Sequence, residues 1–233
     1  MSGDDMAQGL KREEREIRLK QMLYDMLTYE RALREQGVTN IAGVDEVGRG
    51  PLAGPVIAAC VVLPEDFSVI GVNDSKKLSE KRREELFDVI CETALAYGTG
   101  SIDNLTIDKI NILEATKLAM KQAVSAAADM LAKRGAGDIG HVLIDALELP
   151  GLEAPQTAII KGDEKSVSVA AASIIAKVTR DRLMIEYHET YPEYAFDRNK
   201  GYGTKLHYEG IEAAGLSPIH RRSFCGAYLA ERK

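Results

Sequence analysis

The pattern of apolar and polar positions divides this chain near residue 38. Before that point, a segment dense in Lys, Arg and Glu carries Ile17, Leu19, Leu23, Met26, Leu27 and Leu33 at roughly helical spacing. This predicts one or two amphipathic helices over residues 11–36, ending at Gly37. From Asn40 onward the pattern changes to short apolar blocks. Residues 41–44 and 56–63 read as two strands joined by the Gly/Pro-rich connection GRGPLAGP. Ser79 stands where an N-cap belongs, before a helix with Leu86, Phe87, Val89 and Ile90 on one face. A further strand is expected near 98–102. Asn111 and Glu114 have capping-box spacing, and the alanine-rich stretch from there to Lys133 predicts a helix. Residues 141–144 and 157–160 read as buried strands, and a long helix is expected from about 167 to 189, stopping before Pro192. Strands followed by helices of this length predict an α/β fold with a mixed sheet flanked by helices. The expected organisation is an N-terminal helical extension over 1–38 and one domain over 39–233 with a C-terminal helical region.

Composition narrows the class. Hydrophobic residues make up 45% and charged residues 28% of 233, as in ordinary globular proteins. The longest apolar run, 56–63, is far too short to cross a bilayer, and MSGDDMAQGL has no apolar core behind a basic start. Cys60, Cys91 and Cys225 have no paired spacing, and Cys60 sits in an apolar block, where a small buried hydrophobe is expected. A reducing cytoplasm fits, with no membrane contact and no obligate protein partner implied. The net charge of −6 counts against a generic nucleic-acid binder. Basic residues nevertheless cluster at Lys76, Lys77, Lys81, Arg82 and Arg83, at Arg198, Lys200 and Lys205, and at Arg221 and Arg222. His220 beside the last pair is expected to join a basic surface that meets phosphate. The extension reads as packed on the domain or free in solution, or else as a contact surface for nucleic acid or a partner.

Three strand-like blocks end in acids: Asp45 and Glu46 after 41–44, Asp145 after 142–144, and Asp163 after 159–161. Any one aspartate after a strand is ordinarily a turn former or a cap. Several delivered to one sheet edge would repel one another, and hard divalent ions such as Mg²⁺ or Mn²⁺ prefer such oxygen ligands. Two such ions can activate water and stabilise the leaving oxygen of a phosphodiester. Beside the first pair, Gly48, Arg49 and Gly50 combine close backbone approach with charge, a phosphate-binding pattern that is also an ordinary turn. Lys177 and Arg180, on the long helix, either approach phosphate or pair with nearby acids. No GxxxxGK[ST] sequence is present, which argues against a P-loop nucleotide enzyme.

The stretch IAGVDEVGRGPLAGP (41–55) resembles the signature of bacterial ribonuclease HII. The resemblance continues through NDSKKLS (73–79), VLID (142–145), KGDEKSVSVAAASIIAKVTRDR (161–182) and NKGYGT (199–204). Ribonuclease HIII differs, with Asp where Pro51 stands and a larger N-terminal domain. The resemblance implies an RNase H-like fold and an endonuclease that cuts RNA in RNA–DNA hybrids and at ribonucleotides embedded in DNA. It implies Asp45, Glu46, Asp145 and Asp163 as catalytic ligands of a divalent metal, Mn²⁺ or Mg²⁺. It also implies that Gly48, Arg49 and Gly50 contact the backbone at the scissile phosphate, with Tyr202 against the ribose. The family commonly has Gly where Ala146 stands, which puts the turn after Asp145 in question.

Overall fold

The computed structural model describes residues 3–226, with side chains from residue 13 onward. The expected elements form, but the strand expected to be buried at 157–160 is an edge strand in which only Ile159 is buried, and Ile160 is 75% exposed. Helices α1 (Gly3–Met26) and α2 (Thr28–Arg34) make up the extension. The sheet contains β1 (Ile41–Val47), β2 (Val56–Val62), β3 (Ala96–Ile102), β4 (His141–Asp145) and β5 (Gln156–Ile159). Its order is β3-β2-β1-β4-β5, with β1–β2 and β2–β3 antiparallel and β1–β4 and β4–β5 parallel. This is the mixed α/β sheet that the sequence pattern predicts. Helix α3 (Glu80–Thr93) lies between β2 and β3 and α4 (Asn104–Lys133) between β3 and β4, while the single turn α5 (Gly162–Lys165) follows β5. Helix α6 (Val167–Thr190) leads into the C-terminal helices α7 (Phe196–Asn199) and α8 (Lys205–Ala214). Residues 227–233 of that C-terminal region lie outside the described residues.

Alternation along the buried strands builds two cores. Val56, Ala58, Cys60 and Val62 pack with Ala119, Met120, Ala123 and Ala127 of α4 on one face. Ala59 and Val61 pack on the other with Leu86 and Ile90 of α3 and Ala171, Ile174 and Ile175 of α6. Cys60 is fully buried there, and burial pushes its thiol up to about 12, as befits a small hydrophobe. Helix α6 lies so close to β1 that a Cβ at Gly43 would sit 2.0 Å from the Ser168 carbonyl carbon. Only glycine fits there, and the contact fixes α6 beside the strand that carries Asp45.

Helix ends follow the sequence, with one difference. Ser79 Oγ accepts from Arg82 N at 3.3 Å, as expected of a cap. Asn111 also caps, its Oδ1 accepting from Leu113 N at 2.9 Å and Glu114 N at 3.2 Å. Yet the chain is already helical before it, from an earlier cap in which Asp103 accepts from Thr106 N at 2.8 Å. Asn111 takes a left-handed φ of 67°, so α4 is two helical segments joined at a capping asparagine. The earlier segment, 104–110, is too short for a helical period to register. No described helix is long and apolar enough to cross a membrane.

Candidate active site

The parallel pairing of β1 with β4 sets the site. Val44 lies opposite Ile144, so the next residues, Asp45 and Asp145, emerge side by side at the same sheet edge. One carboxylate oxygen each from Asp45, Glu46 and Asp145 lie within 4.8 Å of one another. Asp163 follows on α5 and stands outside that tight trio, although its charge reaches both Asp145 and Asp45. The short helix is tied to the trio through Gly162, whose N–H donates to Asp145 Oδ1 at 2.6 Å.

Burial, then the neighbouring Glu46 and Asp145 carboxylates, push the Asp45 carboxyl well above the usual carboxylate range. Burial likewise raises Glu46, with Arg49 opposing it from 3.5 Å, and raises Asp163, helped by Asp74 and Asp145. Such a set of acids is strained without a cation. Glu46 Oε2 is also buried with no hydrogen-bond partner. Crowded carboxylate oxygens with spare lone pairs are the donor set that hard divalent ions take, so the residues present fit a metal centre.

Lys76 belongs to this site too. Its ammonium lies 4.0 Å from Asp163 Oδ2. Burial works against its charge, but Asp45, Asp163, Asp74 and Glu46 outweigh that and raise its pKa. Asp74 Oδ1 holds the turn by accepting from Lys76 N at 2.9 Å. The sequence shows Lys76 only as one of a basic cluster; its place over the acids depends on tertiary packing.

After β1 the loop 48–55 is held from beneath by two fully buried arginines. Arg221 donates to the carbonyls of Gly48 (2.6 Å), Arg49, Pro51 and Gly54 (each 2.9 Å). Arg180 donates to Pro55 O at 3.0 Å, Ala53 O at 3.1 Å and Lys200 O at 2.8 Å. With the carbonyls turned inward, the amides of Arg49 and Gly50 meet no other backbone partner among the described residues. A Cβ on Gly48, which has φ +89°, would strike Arg180 Nε at 2.3 Å. Tyr202 closes the other side: its ring lies 3.7 Å from where a Gly50 Cβ would stand, and the side chain is 43% exposed. The structure thus brings Gly48, Arg49, Gly50 and Tyr202 together.

Two expectations are corrected here. His220 and Arg221 do not join a basic surface: they are 2% and 0% exposed, and of that trio only Arg222 faces solvent. His220 Nδ1 accepts from Ser217 N at 2.9 Å, so its Nε2–H donates to His207 Nε2 at 3.0 Å. His207 Nδ1–H in turn donates to Tyr202 O at 2.9 Å. Burial and then His207 lower His220 to about 4, so the pair is neutral near pH 7 and braces the backbone of Tyr202. Arg180 neither approaches phosphate nor pairs with an acid, because it is consumed by loop carbonyls. Lys177 does form the ordinary pair, 2.7 Å from Asp181. At the turn after Asp145, Ala146 takes a left-handed φ of 51°, a conformation that suits glycine and costs alanine about 1–2 kcal/mol.

The family model for ribonuclease HII matches residues 42–227. The chain belongs to the ribonuclease HII family. It is 55% identical to ribonuclease HII of Bacillus cereus (strain B4264) over 214 residues, 92% of this chain and 80% of that protein. With ribonuclease HII of Bacillus subtilis (strain 168) it shares 51% over 217 residues, 93% of this chain and 82% of the other. The ribonuclease H2 structure from Pyrococcus horikoshii OT3 superposes with a TM-score of 0.63 at 30% identity, covering 82% of this chain and 97% of that one. Membership makes the chain an RNase H-type endonuclease, a metal-dependent hydrolase that acts on RNA–DNA hybrids. The RNase H-like fold expected from the motifs is the one observed.

Proposed function

We propose that the enzyme cuts the RNA strand of hybrids, and DNA duplexes at embedded ribonucleotides, with Asp45, Glu46, Asp145 and Asp163 as ligands of two divalent ions. The observation that carries this reading is the convergence of Asp45, Glu46 and Asp145 within 4.8 Å, with the Asp45 carboxyl held well above its ordinary range. Mn²⁺ and Mg²⁺ both suit an all-carboxylate site. Bound there, the ions supply an activated water and charge stabilisation for the leaving oxygen. In the reaction the water oxygen bonds to phosphorus, the P–O3′ bond breaks and the proton ends on O3′. The products carry 5′-phosphate and 3′-hydroxyl ends. The catalytic domain is residues 39–233, with 1–38 a helical extension. Three free cysteines agree with a reducing cytoplasm.

Metal ions hydrolyse whatever phosphodiester they reach, so selectivity for RNA must come from neighbouring contacts. The 2′-OH is the group that marks ribose, and it both donates and accepts. The amides of Arg49 and Gly50, without backbone partners among the described residues, are suited to the backbone at the cut, and the Tyr202 ring to packing on the sugar. Tyr202→Phe loses one hydrogen bond, worth about 0.5–1.5 kcal/mol, or a rate loss up to about tenfold. Tyr202→Ala also loses packing; misplacing the phosphate by about 1 Å costs on the order of 100-fold. The measurement is cleavage of a labelled DNA duplex containing one ribonucleotide, beside an all-DNA duplex and an Mn²⁺ titration. We expect Ala to be slower than Phe, Mn²⁺ affinity to be unchanged and the all-DNA duplex to stay intact. Wild-type cleavage by Tyr202→Ala would remove Tyr202 from recognition, and failure of the wild type to cut the ribonucleotide would overturn the substrate assignment.

A further inference from the structure

We infer that Glu30, in the extension outside the family match, is a positioning residue that holds Asp163 in place for metal binding. The inference rests on the reading of Asp163 as a metal ligand. Glu30 is 1% exposed, an unusual burial for an acid, and no cation pairs with it among the described residues. Its Oε1 accepts from Ser166 Oγ at 2.6 Å and from Ser168 N at 3.0 Å, while Oε2 is buried without a partner. Both donors belong to the junction where α5 ends and α6 begins.

That junction is a short mechanical link to the acids. Ser166 Oγ also accepts from Val169 N at 3.2 Å, capping α6, and Ser166 N donates to Gly162 O at 2.8 Å, closing α5. Gly162 N donates to Asp145 at the opposite end of the same turn. The single turn bearing Asp163 is therefore held by Asp145 on one side and by Glu30 through Ser166 on the other. A four-residue helix cannot hold its own geometry, because isolated helices shorter than about 12 residues are marginal. These two attachments supply rigidity it lacks on its own, beside the ion pair of Lys77 with Glu164 at 3.2 Å. Glu30 fixes the second, and it has the N-terminal end of a 24-residue helix to face, where an acidic side chain is favoured. The extension is docked by packing apart from these hydrogen bonds: Leu23 and Met26 join the buried cluster that includes Val167 and Ala170, while Tyr29 and Leu33 pack on Ile41, Leu143 and Ile159.

Partners that orient metal ligands typically change metal affinity by about 10–100-fold when removed. The test is calorimetric Mn²⁺ titration of the full-length chain, with melting temperatures measured in parallel. Glu30→Ala and Ser166→Ala, which cut the link from opposite sides, are expected to weaken Mn²⁺ binding by about tenfold or more. Glu30→Gln keeps an acceptor and should recover part of that loss, and it carries the test with Ser166→Ala if Glu30→Ala fails to fold. Leu23→Ala is the packing control: it should lower the melting temperature and leave Mn²⁺ affinity at the wild-type value. Asp163→Asn separates this inference from its premise. Wild-type Mn²⁺ binding in Asp163→Asn would overturn the ligand assignment itself. Weakened binding in Asp163→Asn with wild-type binding in Glu30→Ala, or in both Glu30→Gln and Ser166→Ala, would overturn the positioning role alone. An equal loss in Leu23→Ala would also overturn it, by showing that loosened packing suffices.

Discussion

Replacing Asp45 by asparagine is expected to abolish hybrid cleavage and, in the metal-free protein at neutral pH, to raise the melting temperature. Both effects have one origin. Asp45 is 4% exposed, and burial together with Glu46 and Asp145 makes its ionised form costly. A carboxyl whose pKa is raised by folding binds its proton more tightly folded than unfolded. Its contribution to stability is present below the unfolded value, about 4, and is lost as pH rises through the folded value. The metal-free wild type therefore loses stability across that interval, while the asparagine variant does not. The gap in melting temperature should be widest near pH 7, a few degrees, and should close below about pH 4. Adding Mn²⁺ should stabilise the wild type and do much less for the variant. On turnover the sign reverses, since charge that is costly without metal is what would hold it. Metal ions contribute several kcal/mol to such reactions, so a loss of roughly 10³-fold or more is expected. Thermal melts across pH, with and without Mn²⁺, and a hybrid-cleavage assay check both halves; a variant with wild-type turnover removes Asp45 from the site.

Arg221→Ala should produce the largest loss of stability among the residues around the loop 48–55. The guanidinium is wholly buried and satisfies four loop carbonyls. Its removal leaves those oxygens without donors, each costing about 1–3 kcal/mol if it stays dry. Relaxation and entering water recover part of this, so a net loss of about 3–5 kcal/mol is expected. For a chain of this size that corresponds to a fall on the order of 10 °C. Arg221→Lys keeps the charge but cannot span four acceptors with one compact ammonium, and should fall between the two. Hydrogen exchange gives the local readout: the amides of Leu52 and Gly54, now bonded to Gly201 and Ile219, should lose protection. Unchanged melting and unchanged exchange in Arg221→Ala would show that the loop holds its shape without the buried fork.

The two arginines also show where a sequence stops being legible. The strands could be read because burial on one or both faces imposes a pattern on consecutive residues. Asp45, Glu46, Asp145 and Asp163 stood out because each interrupts or follows such a pattern. Arg180, Arg221 and His220 carry no such mark: a basic residue, alone or in a cluster, reads as surface, and only the fold supplies the partners that make its burial tolerable. Lys76 was visible as charge but not as a neighbour of the acids, since β1 and the turn at 75–77 meet only in the tertiary structure. Glu30 was hidden inside a run of charged residues, where helical spacing predicts a solvated face. Ala146 is the opposite case: the family motif flagged the position, and its left-handed backbone is the physical reason.

The proposed divalent-metal centre draws on the acids at the ends of β1 and β4 and on Asp163 of α5. Anomalous scattering from crystals soaked in Mn²⁺ tests it most directly. Peaks are expected between Asp45, Glu46, Asp145 and Asp163, two of them about 3.5–4 Å apart once substrate is bound. Mn²⁺ bound elsewhere, with these four carboxylates left free of it, would rule that centre out.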